Sequence, residues 1–232
     1  MARHGDTLNS VVFATGGGCA PIIHTIRLPL IRFPLCPKTM ETAFDYASQP
    51  EVHTVLIGAA WNVHFSDYNQ ELLFDTGTER LAFPAPAVQD LAFASFEQSV
   101  SALRKLGKRV YIVLQPPSGH VFDPRRMYQG SRFDSIRPLP QIPNLDVARF
   151  NQESALPRSR LQAIAAKTGA IIIDPIVTLC PKNVCPVLDQ AGVPIYTDPL
   201  HMRPSYVRKA ITYLDQTVSP PTPPAALVHQ DR

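Results

Sequence analysis

Asp198 and His201 stand three residues apart in an Asp-Pro-Leu-His run ahead of the last helical stretch. An aspartate at that distance can turn back and accept the Nδ1–H of the imidazole. The contact fixes the tautomer and leaves Nε2 as a general base for a hydroxyl nucleophile. A turn-capping aspartate beside a solvated histidine is the plainer reading of the same residues. Ser118-Gly119-His120 is less specific, because adjacent serine and histidine side chains rarely reach triad geometry; it reads as a substrate contact or a loop. Arg125, Arg126 and Arg132 could bind an anionic glycan or stand as solvated charges. Gly16-Gly17-Gly18 lacks the Gly-Lys-Ser/Thr that completes a phosphate loop. His24, His53 and His64 have no ligand spacing, so no metal and no cofactor is expected.

These residues need a scaffold, and short apolar runs supply candidate strands at 11–15 (VVFAT), 52–60, 108–115 and 170–174. Continuous apolar character over so few residues is the pattern of strands covered on both faces. A further short strand is expected at 194–197. Helical periodicity appears at 39–48, 87–106, 161–167 and 204–214, with Gly107 just past the second of these. Strand–helix alternation predicts an α/β fold: three layers, α/β/α, around a parallel sheet. Residues 116–150 hold six prolines and little periodicity, so they read as a long loop over a site. The expected domain is 1–218, and 219–232 (beginning SPPTPP) reads as a disordered tail.

The chain has 232 residues, enough for one α/β domain with its own core. With 45% hydrophobic and 18% charged residues it is neither a disordered nor a membrane-embedded chain. A formal charge of +3 is too weak a bias to point to a nucleic-acid partner. Proline is the outlier, at 24 residues about twice the ~5% norm. No run of ~20 apolar residues spans a bilayer and no signal peptide begins at Met1. The four cysteines point the other way. Cys19 with Cys36, and Cys180 with Cys185, read as two short disulfides of an oxidising compartment. Zinc ligands and free buried thiols are the competing readings.

Asp198-Pro-Leu-His201 before the final helix resembles the last sequence block of the SGNH hydrolases. The chain is most similar to the subgroup fused to acyltransferase-3-type membrane proteins, which O-acylate cell-envelope polysaccharides. The resemblance extends to Leu56-Ile-Gly-Ala-Ala-Trp61, to Gly-Lys-Arg-Val before Gln115-Pro116-Pro117, and to a passage from Ile173-Asp174-Pro175 through Leu179-Cys180-Pro181 to Cys185. It covers most of residues 11–217. It implies His201 as base, Asp198 as its orienter, and Gly17, Asn62 and Trp61 as oxyanion or substrate contacts, although a Gly-rich turn and a surface asparagine explain Gly17 and Asn62 as well. It further implies a saccharide acyl acceptor, a tether to a membrane acyltransferase domain, and a periplasmic or extracytoplasmic location.

The family's nucleophile is the serine of a Gly-Asp-Ser block after the first strand. Gly5-Asp6-Thr7 does not fill that role, since only four residues precede it. The first strand and the nucleophile are therefore expected to be missing, as in an N-terminally truncated reading of a longer gene, and the chain by itself is expected to be inactive. A non-catalytic saccharide-binding or scaffold domain of the same fold is the alternative.

Overall fold

The computed structural model describes residues 10–66 and 71–218. The chain runs β1 (Thr25–Arg27), α1 (Cys36–Ala47), β2 (Thr54–Gly58), α2 (Trp61–His64), β3 (Leu72–Asp75), β4 (Arg80–Ala82), α3 (Pro86–Lys105) and β5 (Arg109–Val113). It continues with β6 (Tyr128–Ser131), β7 (Asp134–Pro138), β8 (Leu145–Asp146), α4 (Val147–Glu153), α5 (Ala155–Thr168), β9 (Ile171–Ile173), α6 (Pro175–Leu179), β10 (Val184–Cys185) and α7 (Pro204–Ala210).

The parallel sheet has the order β2-β5-β9. Thr54 pairs with Arg109 at one end and Gly58 with Val113 at the other, while Tyr111 to Val113 pair with Ile171 to Ile173. The central strand behaves as its run of apolar residues predicts: Val110, Tyr111, Ile112 and Val113 are all buried. Alternate residues serve opposite faces. Val110, Ile112 and Leu114 join Ala92, Phe96, Val100 and Leu103 of α3 and Leu161 and Ile164 of α5 in the main core. Tyr111, Val113 and Ile173 face the other way, where Tyr213 and Leu214 cover them. The α/β fold with a parallel sheet is thus as expected from the alternation of runs.

Four local expectations are corrected. Residues 11–15 form no strand; they are an extended segment with Val12 and Phe13 exposed, running into a turn closed by Cys19 N–H to Gly16 O at 3.1 Å. An apolar run specifies burial, but a ladder needs a partner backbone, and none among the described residues pairs with this one. The parallel sheet therefore has no 11–15 strand beside which a missing neighbour could be measured. Residues 116–150 are not one loop but two 3-10 turns (His120–Phe122, Pro124–Arg126), the β6–β7 hairpin, β8 and the start of α4. At 194–197 only isolated bridges form, Leu188 with Pro194 and Tyr196 with Met202. The last helix stops at Ala210, freeing Tyr213 and Leu214 to turn onto the sheet. Residues 219–232 lie outside the described residues.

Three small antiparallel units accompany the parallel sheet: β1, β3 and β4 form one, β10 with β8 the second, and the β6–β7 hairpin the third. Both disulfides are formed, Cys19–Cys36 across 17 positions and Cys180–Cys185 across 5, and no cysteine is free. That removes the zinc and thiol readings. Closing the longer loop is worth about 3 kcal/mol by chain entropy.

His64, the last residue of α2, is 3% exposed. Burial, with a smaller contribution from the Arg27 charge, pulls its pKa down to about 4. The folded chain therefore holds His64 neutral while the unfolded chain protonates near 6.5. Between those values the unfolded state binds more protons, so stability is whole above about pH 6.5 and falls on acidification until about pH 4. At about 1.4 kcal/mol per unit the loss is roughly 3 to 4 kcal/mol. The depressed carboxylates Asp123, Asp189 and Asp198 lose their contributions only at lower pH, as it falls below their ordinary 3.8. Urea titrations across pH should show this slope in the native chain and its loss in His64→Gln.

Candidate active site

The segment from Ile195 to Arg203 folds back on itself and is held at both ends. Ile195 N–H donates to Val187 O at 2.9 Å and Arg203 N–H donates to Ile195 O at 2.8 Å. The Arg203 guanidinium spans Pro194 O at 3.0 Å and the Asp189 carboxylate at 2.5 Å. Thr197 closes the inner turn, its N–H and Oγ1 both reaching His201 O, at 2.8 and 3.0 Å.

Within this turn Asp198 does two things at once. Its Oδ1 accepts the backbone N–H groups of Leu200 (2.8 Å) and His201 (2.9 Å), the geometry of an Asx turn. The carboxylate also receives His201 Nδ1, at 3.0 Å from Oδ1 and 2.9 Å from Oδ2. The turn-capping and histidine-orienting readings of the sequence are both satisfied by one carboxylate. The Leu200 N–H is the main reason the Asp198 pKa is held below the ordinary carboxylate value; burial opposes it, and the His201 contacts add to the lowering. Asp198 is therefore ionised when His201 needs an acceptor. The imidazole side chain is 75% exposed, so Nε2 faces open space.

The dyad is joined to the C-terminal end of the parallel sheet. After β5 the chain passes through Gln115, Pro116 and Pro117 to Ser118 and Gly119. Gly119 N–H donates to Pro199 O at 2.8 Å, and Tyr196 OH donates to Pro117 O. Burial pushes the Tyr196 phenol far above its ordinary range, which keeps it a donor. Gly119 sits at φ 134°, a conformation open to glycine and strained for other residues, with open space where a Cβ would stand. Across the sheet end, Asn62 N–H donates to Gln115 Oε1 at 3.3 Å, and Gln115 Nε2 reaches Ser118 Oγ at 3.4 Å. Asn62, after β2, is thus linked through Gln115 and Ser118 to the loop that carries the dyad. Its own Oδ1 is buried with no hydrogen-bond partner, at the wall of a small crevice lined also by Trp61, Leu114, Ser154 and Arg158. Asp174, after β9, caps α6 and pairs with Arg158.

Asp198 and His201 are brought together, and Asn62 stands at the sheet end that faces them. Trp61 takes a different part: it is 1% exposed, its Nε1–H donates to Val113 O at 2.8 Å, and its ring meets Phe96 edge-on. It pins the turn after β2 onto β5 and offers no exposed surface to a substrate. Gly17 lies in the exposed turn just before Cys19, and among the described residues no hydrogen bond joins it to the dyad loop. Gly5-Asp6-Thr7 lies outside the described residues. Ser66 donates to Val63 O, and among the described residues no serine hydroxyl is hydrogen-bonded to His201. Arg158 carries no signal in the sequence, and Gln115 and Asp174 enter there only as part of the family resemblance, with no role given to them. The Pro116-Pro117 pair ending β5 was the available signal that the chain turns sharply toward the site there.

With this arrangement in view, residues 3–215 match the family described as the SGNH domain (fused to AT3 domains). The chain belongs to that family. As an SGNH domain it shares its fold with the periplasmic domain of a lipopolysaccharide acetyltransferase from Salmonella ser. Paratyphi A. The TM-score is 0.51 at 13% identity, over 80% of this chain and 63% of that one. This SGNH domain therefore spans less than two thirds of the length of the structure it resembles. No curated protein matches the chain.

The Asp198 contacts define a test. Nitrogen-15 NMR of the imidazole should show His201 with its proton on Nδ1. Asp198→Asn should lose that tautomeric bias and sharpen exchange at the Leu200 amide. Gly119→Ala should broaden the same signals while leaving the far-UV circular dichroism unchanged.

Proposed function

We propose that this SGNH domain serves acyl transfer, or ester hydrolysis, on a cell-envelope saccharide. His201 acts as general base and acid, and Asp198 orients it. The single observation carrying the proposal is the two-oxygen contact of Asp198 with His201 Nδ1 beside an exposed Nε2. In such a reaction Nε2 takes the proton of an attacking hydroxyl as its oxygen bonds to the acyl carbonyl carbon. It returns the proton to the oxygen that leaves. The family's fusion to AT3 domains supports a membrane acyltransferase as partner, and the two disulfides support an extracytoplasmic setting. The saccharide acceptor is supported by the acetyltransferase whose fold this chain shares.

The nucleophilic hydroxyl is the part this reading places outside the described residues. The base and orienter without a bonded serine also fit the alternative of a saccharide-binding or scaffold domain. Turnover of 4-nitrophenyl acetate separates the readings. The chain by itself should hydrolyse it no faster than His201→Ala does. A serine hydroxyl supplied by joining the chain to a Gly-Asp-Ser-bearing strand should raise the rate by at least about a hundredfold, as expected for a positioned general base, and His201→Ala should abolish the gain. No gain on this addition overturns the catalytic reading in favour of the scaffold.

A further inference from the structure

The β6–β7 hairpin stands out from the body of the molecule. Every residue of both strands is exposed. Two strands alone are marginal in water, so a hairpin with no buried face needs another surface to stabilise it. Register sorts its side chains. Tyr128 pairs with Pro138, and Ile136 lies two residues from Pro138 on the same face; Gln129 pairs with Arg137 on the other. A bulge at Gly130, with φ 129° and Ser135 O where a Cβ would go, bends the ribbon toward its tip. At the tip Phe133 is 94% exposed, and Ile136 beside it is 74% exposed. Phe133 N–H is held by Ser131 Oγ at 3.2 Å, so the ring is presented from a closed turn and not a slack one.

Charge accompanies this apolar tip. Arg132 adjoins Phe133, and Arg126 lies at the hairpin base; neither makes an ion pair among the described residues. Arg137 pairs only with the equally exposed Asp134, at 3.7 Å. Arg125 is neutralised by the buried Asp123, with Nη2 2.7 Å from Oδ2. An exposed aromatic and an aliphatic residue flanked by guanidinium groups that make no ion pair among the described residues match the interface of an anionic bilayer. The apolar groups enter the boundary of the acyl chains there, and the guanidinium groups meet lipid phosphates.

We propose that the β6–β7 hairpin is a membrane-surface anchor, which inserts Phe133 and Ile136 into an anionic lipid interface with Arg126 and Arg132 on the headgroups. The segment that leads into the hairpin also touches the dyad turn: Gly119 N–H donates to Pro199 O, and Arg125 lies within electrostatic reach of Asp198. The inference is independent of whether His201 is catalytic.

The test is cosedimentation of the whole chain with vesicles of phosphatidylethanolamine and phosphatidylglycerol, beside vesicles of phosphatidylcholine alone. Binding is expected to the first and not the second, and to weaken with salt. Phe133→Asp should lower it by about tenfold or more, as should Arg126→Glu with Arg132→Glu. Phe133→Trp should add a fluorescence component that shifts to the blue when anionic vesicles are added. His201→Ala should bind as the unaltered chain does. Absence of binding to anionic vesicles, equal binding to phosphatidylcholine, or binding indifferent to Phe133→Asp overturns the proposal. So does binding only when a membrane protein is present in the vesicles, which assigns the hairpin to a protein partner.

Discussion

The hydrogen bond from the Gly119 amide to the Pro199 carbonyl ties together the two halves of the site. On one side lie the parallel sheet and everything that ends at its C-terminal edge: Asn62, Gln115 and Ser118. On the other lies the Asp198–His201 turn, which belongs to no sheet and has only isolated bridges of its own. A turn of this kind keeps its shape through its own Asx and threonine contacts, but its position is set from outside. Gly119 supplies that position because its backbone adopts a φ of 134° without a steric penalty. The Tyr196 hydroxyl, donating to Pro117 two residues earlier, makes the attachment two-point and therefore resistant to rotation.

The electrostatics follow from this placement. Asp198 stays ionised because amide N–H groups hold it, not because it is buried, so the dyad remains wet and accessible. Asp123 is the contrasting case in the neighbouring loop. It is buried, and its carboxylate is kept ionised chiefly by the side-chain hydrogen bonds of Arg125. Two carboxylates that both act on Arg125 thus rely on different partners.

Much of the frame was legible in the sequence because burial on both faces leaves a continuous apolar run. Residues 109–113 of β5 show this, and α3 shows the corresponding helical stripe. The same logic misread residues 11–15, where an apolar run has no partner strand among the described residues and Val12 and Phe13 remain exposed. The hairpin was illegible for the opposite reason. With no buried face there is no period-two pattern to see, and Pro138 and Gly130 read as breakers. Asp198 and His201 were visible because their contact is local, spanning three residues. The contacts that position them span far more: Tyr196 to Pro117 is 79 residues and Trp61 to Val113 is 52. Nothing in the local sequence marks either end of such a pair.

The early end of α7 has a consequence for how the domain is completed during synthesis. Tyr111, Val113 and Ile173 have their cover only when Tyr213 and Leu214 arrive, and burial pushes the Tyr213 phenol up to about 12, a sign of how far that ring is withdrawn from water. A nascent chain emerging from its N-terminus can assemble the three parallel strands and the α3–α5 face first. Its second face then stays wet until residues 213 and 214 have been made and can turn back onto it. The sheet is covered by the segment after α7, and the interval before that closure is when it is open to a wrong neighbour.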